Sequence, residues 1–201
     1  NATVGARSVK LSIITVCYNS VQTIAHCLAS VADQSFSQIE HIVIDGASTD
    51  GTAALVRDKG HHVVQLVSEP DHGIYDAMNK GLALATGDII GILNADDRYA
   101  DKKVLTRVAT QMARQNLDIL YGDVAFFQPD DPSKLVRRFS SARFNPGRIG
   151  WGWMPAHPAL FVRREVFERV GPYRTDYKIA GDYEWVARAF SAGPMRHAYL
   201  P

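Results

Sequence analysis

Along the first 127 residues, short apolar runs alternate with stretches in which apolar side chains return every three or four positions. The run at 11–17, Leu-Ser-Ile-Ile-Thr-Val-Cys, is rich in β-branched residues and predicts a strand. The runs at 41–44, 63–67 and 89–93 predict three more. Between them, Val21, Ile24, Leu28 and Val31 recur at helical spacing, with Ser20 placed to cap that helix. Residues 52–59 read as a short helix, and Ile74, Ala77, Met78, Gly81, Leu82 and Ala85 form another apolar stripe. Val104, Leu105, Val108 and Met112 mark a helix over 101–115, followed by a strand over 117–127. Strand and helix thus alternate four times through short connections, the pattern of a mostly parallel sheet covered by helices. No fixed-period repeat interrupts it.

Beyond residue 127 the pattern changes. Residues 128–133 form a Pro/Asp-rich loop, and 134–139 alternate as an antiparallel strand would. Residues 145–157 are rich in Gly, Pro and Trp and predict a long loop, mobile or ligand-lining. A short strand at 159–162, a helix at 164–170 ended by Gly171-Pro172, and a last helix at 182–190 follow; the last carries Trp185, Val186, Ala189 and Phe190 on one side.

Composition narrows the class. A chain of 201 residues is long enough for one domain with a real core. A net charge of +1, with no block of basic residues and Arg137-Arg138 and Arg163-Arg164 as isolated pairs, argues against nucleic acid as a partner. No apolar run approaches the ~18 residues that span a bilayer, and no charged-then-apolar leader is visible. The polar lead-in and the stop at Leu200-Pro201 are what a chain trimmed at both ends would have. Cys17 and Cys27 lie in apolar segments and read as buried free thiols of a reducing compartment, which favours a cytoplasmic location.

The stretch 87–98, Gly-Asp-Ile-Ile-Gly-Ile-Leu-Asn-Ala-Asp-Asp-Arg, carries the sharpest chemistry. Adjacent carboxylates at Asp96 and Asp97, at the end of a buried strand, suit a divalent cation with oxygen ligands; a helix cap or solvated turn is the competing reading. The other strands end alike: Tyr18-Asn19 after the first, Asp45 after the second, Glu69 and Asp71 after the third. Open α/β sheets bind ligands along that edge. Tyr18 would stack on a planar ring and Asp45 accept from a base N–H, unless they are a rim aromatic and a turn residue. No Gly-X-Gly-X-X-Gly follows the first strand and no Gly-X-X-X-X-Gly-Lys-Ser/Thr occurs, so the two commonest backbone phosphate cradles are missing. Asp182 reads as a helix N-cap or a general base. His157 is either a structural loop histidine or a ligand of phosphate or acceptor, and Trp151 and Trp153 are either core or stacking surface. Lys80 and Arg98 are phosphate partners or solvated charges, His26 is structural, and His61-His62 is an exposed turn.

Five motifs occur in order: Cys17-Tyr18-Asn19; residues 44–52, Ile-Asp-Gly-Ala-Ser-Thr-Asp-Gly-Thr; residues 68–81, Ser-Glu-Pro-Asp-His-Gly-Ile-Tyr-Asp-Ala-Met-Asn-Lys-Gly; Leu93-Asn94-Ala95-Asp96-Asp97; and residues 180–185, Ala-Gly-Asp-Tyr-Glu-Trp. Together they resemble the family 2 inverting glycosyltransferases of the GT-A fold, bacterial enzymes that build polysaccharide, lipopolysaccharide or glycolipid. The resemblance runs from about residue 11 to residue 190. It implies a single GT-A domain, in which about 11–127 bind a nucleotide sugar, UDP-linked by preference, and about 128–201 supply the acceptor surface and catalytic base. Tyr18 and Asp45 match positions that hold the nucleobase and ribose. Asp96 matches the last residue of the Asp-X-Asp motif that holds Mn²⁺ or Mg²⁺ on the diphosphate, with Asn94 in place of its first Asp and Asp97 as a second metal-side candidate. Asn19, Asn79, Ala95 and His157 complete the residues expected around the nucleotide sugar. Asp182 matches the catalytic base, with Gly181 where Glu is common, and Met78 stands where many members carry an Arg. No Gln-X-X-Arg-Trp follows, which points away from a processive synthase. The partners implied are a nucleotide-sugar donor and a saccharide or lipid-linked acceptor, with peripheral association at the inner face of the cytoplasmic membrane. The rivals are a nucleotidyltransferase, which would want a Gly-rich basic loop after the first strand, and a non-catalytic sugar-nucleotide-binding module.

Overall fold

The computed structural model describes residues 9–128 and 131–201. Residues 1–8 of the polar lead-in and residues 129–130 of the expected loop therefore lie outside the description. Nine strands and six α-helices follow one another among the described residues. Strands β1 (Leu11–Cys17), β2 (Ile39–Asp45), β3 (Val63–Ser68) and β4 (Ile89–Ile92) alternate with helices α1 (Ile24–Ala32), α2 (Thr52–Lys59) and α3 (Ile74–Leu84). Helix α4 (Val104–Arg114) leads to β5 (Ile119–Tyr121), β6 (Val124–Gln128) and β7 (Asp131–Phe139). Then come 3-10 turns at Pro146–Trp151 and His157–Ala159, β8 (Leu160–Arg163), α5 (Arg164–Val170), α6 (Gly181–Ser191) and β9 (His197–Tyr199).

Seven strands form one sheet in the order β3-β2-β1-β4-β8-β5-β9. The four N-terminal strands run parallel, β8 runs antiparallel to both β4 and β5, and β9 is parallel to β5. Strand geometry sends alternate side chains to opposite faces. Ile14 and Val16 pack against Tyr75, Ala77 and Met78 of α3 and Trp185, Val186 and Ala189 of α6. Leu11 and Ile13 pack on the other face against Leu105, Val108 and Met112 of α4, while Cys17 meets Ile24 and Leu28 of α1 and Val56 of α2. Helices therefore cover both faces, as the alternation predicts. Gly81 lets α3 lie close on the sheet, because a Cβ there would sit 2.3 Å from the Ile14 side chain.

Three expectations need correcting. Residues 117–127 do not form one strand: the chain breaks at Gly122-Asp123, so β5 joins the main sheet while β6 pairs with β7 in a separate hairpin. The cause is Asp123, whose carboxylate accepts from Ser141 N, Arg138 and the Tyr199 hydroxyl and so turns the chain inward. Helix α1 begins at Ile24 rather than Val21, and Ser20 supports it through its carbonyl oxygen, which accepts from Thr23 N and Ile24 N, not through a side-chain cap. Strand β9 was not expected, being three residues whose support is long-range: pairing with β5, packing of Ala198 and Tyr199 on the core, and the Tyr199 hydroxyl bond to Asp123. Cys17 and Cys27 are buried and free, as expected.

Candidate active site

The carboxyl ends of β1 and β4, with the start of α3, open onto a cleft of about 540 Å³. Tyr18, Asn19, Asp71, Ile74, Asn94 and Asp96 contribute to its walls, and Ala95 lies on its floor. The loops that form it are stitched by side chains to backbone. Asn19 holds a left-handed conformation (φ 49°), accepts from Thr49 N through Oδ1, and donates its own N–H to Ser48 Oγ at 2.7 Å. Asp50 accepts from Val21 N and Thr52 N, both at 3.0 Å, which ties the β1 loop to the start of α2. Gly46 is a point of close approach: a Cβ there would lie 2.5 Å from Asp71 Oδ2 and 3.3 Å from the Tyr18 ring. Tyr18 itself is 67 % exposed at the mouth of the cleft, a free aromatic face.

Asp45 takes a different place from the one expected of a base-contacting carboxylate. It is fully buried and does not line the cleft. Its oxygens accept from Ser48 N at 3.2 Å, Ser68 Oγ at 2.6 Å, the Ser48 hydroxyl and, weakly, Cys17 Sγ at 3.6 Å. It fixes the ends of β1, β2 and β3 against one another, and burial with Asp45 alongside pushes the Cys17 thiol far up.

The end of β4 is the reverse case. Asp96 is exposed and Asp97 half-buried, side by side. Burial, with the charge of Asp96 added, pushes Asp97 up to about 6; an Asn94 Nδ2 hydrogen bond at 3.2 Å pulls only partly the other way. Asn94 Oδ1 is buried with no hydrogen-bond partner, a costly state for a carbonyl oxygen. Unsatisfied oxygen and uncompensated negative charge meet at one spot, and this donor set fits a hard divalent cation. Among the described residues no cluster of three His, Cys, Asp or Glu side chains is able to hold a metal alone. A cation here would draw the rest of its ligands from a bound diphosphate, the usual arrangement for Mg²⁺ on substrate phosphates.

The model of the family described as glycosyl transferase family 2 matches residues 12–171. The chain belongs to that family. It is 32 % identical over 194 residues to a PGL/p-HBAD biosynthesis glycosyltransferase of Mycobacterium tuberculosis, spanning 94 % of this chain and 73 % of that protein. It is 28 % identical to glycosyltransferase AglE of Haloferax volcanii, spanning 91 % of this chain and 62 % of that protein. Among solved structures it is similar to S. aureus TarS 1–349 in complex with UDP-GlcNAc, with a TM-score of 0.78 at 20 % identity. It is also similar to the mannosyltransferase PcManGT of Pyrobaculum calidifontis in complex with GDP-Man and Mn²⁺, with a TM-score of 0.75 at 24 % identity. The chain covers 56 % and 55 % of those two structures, so it spans little more than half their length. The likeness establishes the GT-A fold.

In this family 2 chain the residues of the C-terminal half form a second group, behind α3. Asp182, half-buried in the first turn of α6, accepts from the Tyr75 hydroxyl at 3.2 Å. The same hydroxyl accepts from Gly181 N at 2.9 Å. His157 is buried, its Nε2 3.0 Å from the Tyr173 hydroxyl; burial pushes the imidazole down against the upward pull of Asp182. Asn79 spends both amide atoms on Tyr173, donating to its carbonyl at 2.8 Å and accepting from its N–H at 2.9 Å. Of the residues expected around the nucleotide sugar, Tyr18, Asn19, Asn94, Ala95 and Asp96 are brought together; Asp45, Asn79 and His157 lie outside the cleft.

Other expectations resolve simply. Lys80 ion-pairs with Glu69 at 2.8 Å and bonds Pro70 O, bracing the loop after β3. The Arg98 guanidinium lies 5.9 Å from the Phe127 ring. His62 is half-buried rather than part of an exposed turn, because its Nε2 lies 2.9 Å from Nδ1 of the buried His41. The long loop is a 3-10 turn, pinned by the Tyr183 hydroxyl donating to Ile149 O; Trp151 is 84 % exposed and Trp153 exposed, neither in the core. Asp71, expected at the ligand edge as the end of the third strand, is a wall of the cleft, whereas Tyr75 as the partner of Asp182 was not read from the sequence. Both lie in the 68–81 motif, whose density of Glu, Asp, His and Tyr around one turn was the available signal.

Proposed function

We propose that this chain transfers a sugar, with inversion, from a nucleoside-diphosphate donor to a hydroxyl acceptor. The observation that carries the reading is the end of β4, where the buried, unpartnered Asn94 Oδ1 and the carboxylate of Asp96 meet a nucleotide-sized cleft, with the half-buried Asp97 carboxylate next in the chain. Tyr18 offers its exposed face to the base, UDP being the favoured donor nucleotide, in keeping with the UDP-GlcNAc bound by TarS. Asn19 and the backbone around Ala95 shape the ribose and diphosphate positions. Asp96 and Asp97, with Asn94 Oδ1, would hold Mn²⁺ or Mg²⁺, in keeping with the Mn²⁺ of the PcManGT complex. Such a cation, when bound, offsets the charge that develops on the leaving diphosphate.

The remaining work falls to side chains. Asp182 accepts the proton of the acceptor hydroxyl as its oxygen bonds to the anomeric carbon, on the side opposite the breaking bond to the diphosphate. The N-terminal half holds the donor, and residues from about 128 onward supply the acceptor surface. The acceptor is a saccharide or lipid-linked hydroxyl of polysaccharide, lipopolysaccharide or glycolipid synthesis, and the relative acting in PGL/p-HBAD biosynthesis favours a glycolipid. Among the described residues no helix is long and apolar enough to cross a membrane. Peripheral association with the inner membrane face is the arrangement proposed for a lipid-linked acceptor.

The test is calorimetric binding of UDP, GDP and dTDP, each with Mn²⁺ or with a chelator, to the wild type and to Asp96→Ala. Binding of one nucleotide that requires both metal and Asp96 is expected. Absence of binding in every arm overturns the reading.

A further inference from the structure

Helix α3 carries two long-range anchors to the C-terminal half. Asn79 pairs with the Tyr173 backbone at one end of the exposed segment 174–180, and Tyr75 meets Gly181 and Asp182 at the other. Tyr75 follows Gly73 and Ile74, which line the donor cleft. Its ring is buried and stacked 5.9 Å from Tyr173, whose hydroxyl is in turn held by His157. That packing fixes the ring and with it the place of the phenol oxygen.

Gly181 is the counterpart of that ring. A Cβ at Gly181 would sit 2.8 Å from the ring edge of Tyr75, closer than real contacts allow. The ring therefore occupies the space a side chain at position 181 would take, the position where Glu is common in the family. Ala180 before it adopts a left-handed conformation (φ 64°), so the helix starts abruptly and aims the first-turn Asp182 back at α3. Burial, with Asp182 nearby, holds the Tyr75 hydroxyl in its protonated, donating form.

We propose that Tyr75 is the positioning residue for the Asp182 carboxylate, coupling the proton-accepting group to the wall of the donor cleft. This inference rests on the role of Asp182 proposed above. The phenol donates to Oδ1 and fixes its direction, leaving Oδ2 for the acceptor hydroxyl. The other titratable groups around Asp182 are His157 and Tyr173, both buried, and Glu184 on its own helix, paired with Arg188 at 2.9 Å. Tyr75 donates to Asp182 directly.

The experiment compares wild type, Tyr75→Phe, Asp182→Asn and the double variant in two readouts. The first needs no substrate: the ¹³C carboxyl resonance of Asp182, assigned by its loss in Asp182→Asn, is titrated with pH. Loss of a donor to the charged form moves that titration to higher pH in Tyr75→Phe. The second is release of UDP from UDP-glucose, UDP-galactose and UDP-N-acetylglucosamine in Mn²⁺. Tyr75→Phe is expected to lower kcat about tenfold with KM within about twofold, the sign of an interaction that matters in the transition state. The double variant is expected to match Asp182→Asn, since the phenol acts only through that carboxylate. An unchanged titration and kcat in Tyr75→Phe overturns the proposal while leaving the transferase reading standing, as does a double variant about tenfold below Asp182→Asn. Full turnover in Asp182→Asn overturns the role of Asp182 and this proposal together, while leaving sugar transfer itself standing. Melting temperatures and UDP affinity within error of wild type establish that Tyr75→Phe is folded, and Gly181→Ala, which crowds the same ring, is expected to repeat its signature.

Discussion

The two edges of the parallel sheet each carry a buried or half-buried carboxylate, and their surroundings are opposite. At the amino edge Glu40, at the start of β2, accepts from Ser12 Oγ at 2.5 Å, Lys10 Nζ at 2.9 Å, and the N–H and hydroxyl of Thr86, both at 2.8 Å. Burial pushes it upward, but those donors outweigh burial and hold it at about 2. At the carboxyl edge Asp97 receives one long hydrogen bond, sits against Asp96, and is pushed up to about 6. A fold that satisfies one carboxylate with four donors has no physical obstacle to satisfying another. The contrast belongs to Asp97 and not to its whole edge, because Asp45 at the end of β2 is saturated much as Glu40 is; an uncompensated carboxylate pair marks a candidate site, and a saturated carboxylate a structural group.

Substitutions at the two carboxylates and around the cleft put that contrast to the test. The largest effect is expected from Asp182→Asn, which removes the proton acceptor: turnover of the donor falls about 10³-fold while UDP affinity in Mn²⁺ stays put, checked by steady-state kinetics beside calorimetry. Next is Asp96→Ala, which weakens UDP binding in Mn²⁺ about 100-fold, equivalent to ~3 kcal/mol. Because it relieves repulsion with Asp97, its stability to urea should equal or exceed that of wild type, and a clear loss would make Asp96 structural. Glu40→Gln is the mirror image. It should cost about 2 kcal/mol in urea unfolding, as a hydrogen-bonded charge is lost, with no change in UDP affinity.

The pH dependence separates the edges with opposite signs. Glu40 is held below its unfolded value of 4.5, so its stabilisation is complete above about pH 4.5 and is lost as pH falls toward 2. Asp97 is held above its unfolded value of 3.8, so the folded state binds the extra proton and stability declines as pH rises from 3.8 through about 6. Unfolding free energy measured from pH 3 to 7 should therefore show the Glu40→Gln deficit shrinking in acid, while Asp96→Ala flattens the decline near pH 5–6. The smallest effect is Tyr18→Ala, which removes one stacking face and should weaken UDP about fivefold, ~1 kcal/mol.

How much of this was legible in the sequence follows the same division. Strand β1, helix α2 and the polar ends of β1, β2 and β4 were readable because each is local: a β-branched run, a 3.6-residue stripe, and polar residues directly after them. Residues 117–127 misled because one apolar run serves two sheets, and the break depends on Asp123 meeting Ser141 and Tyr199 far along the chain. Asp45, Asn79 and His157 carried the right residue types for a nucleotide site. Their polar atoms are nevertheless spent on Ser48 and Ser68, on the Tyr173 backbone, and on the Tyr173 hydroxyl.

What the sequence alone determined is the alternating architecture, the family and the chemistry of the strand ends, since these depend on periodicity and on residues adjacent in the chain. Which polar groups remain unsatisfied was settled by the packing of distant segments. The free Asn94 Oδ1, the loaded Asp97 and the Tyr75–Asp182 contact, which joins positions 107 residues apart, are outcomes of packing. Whether a buried donor or acceptor finds a partner depends on side chains from distant segments arriving at the same place, and no local pattern encodes that.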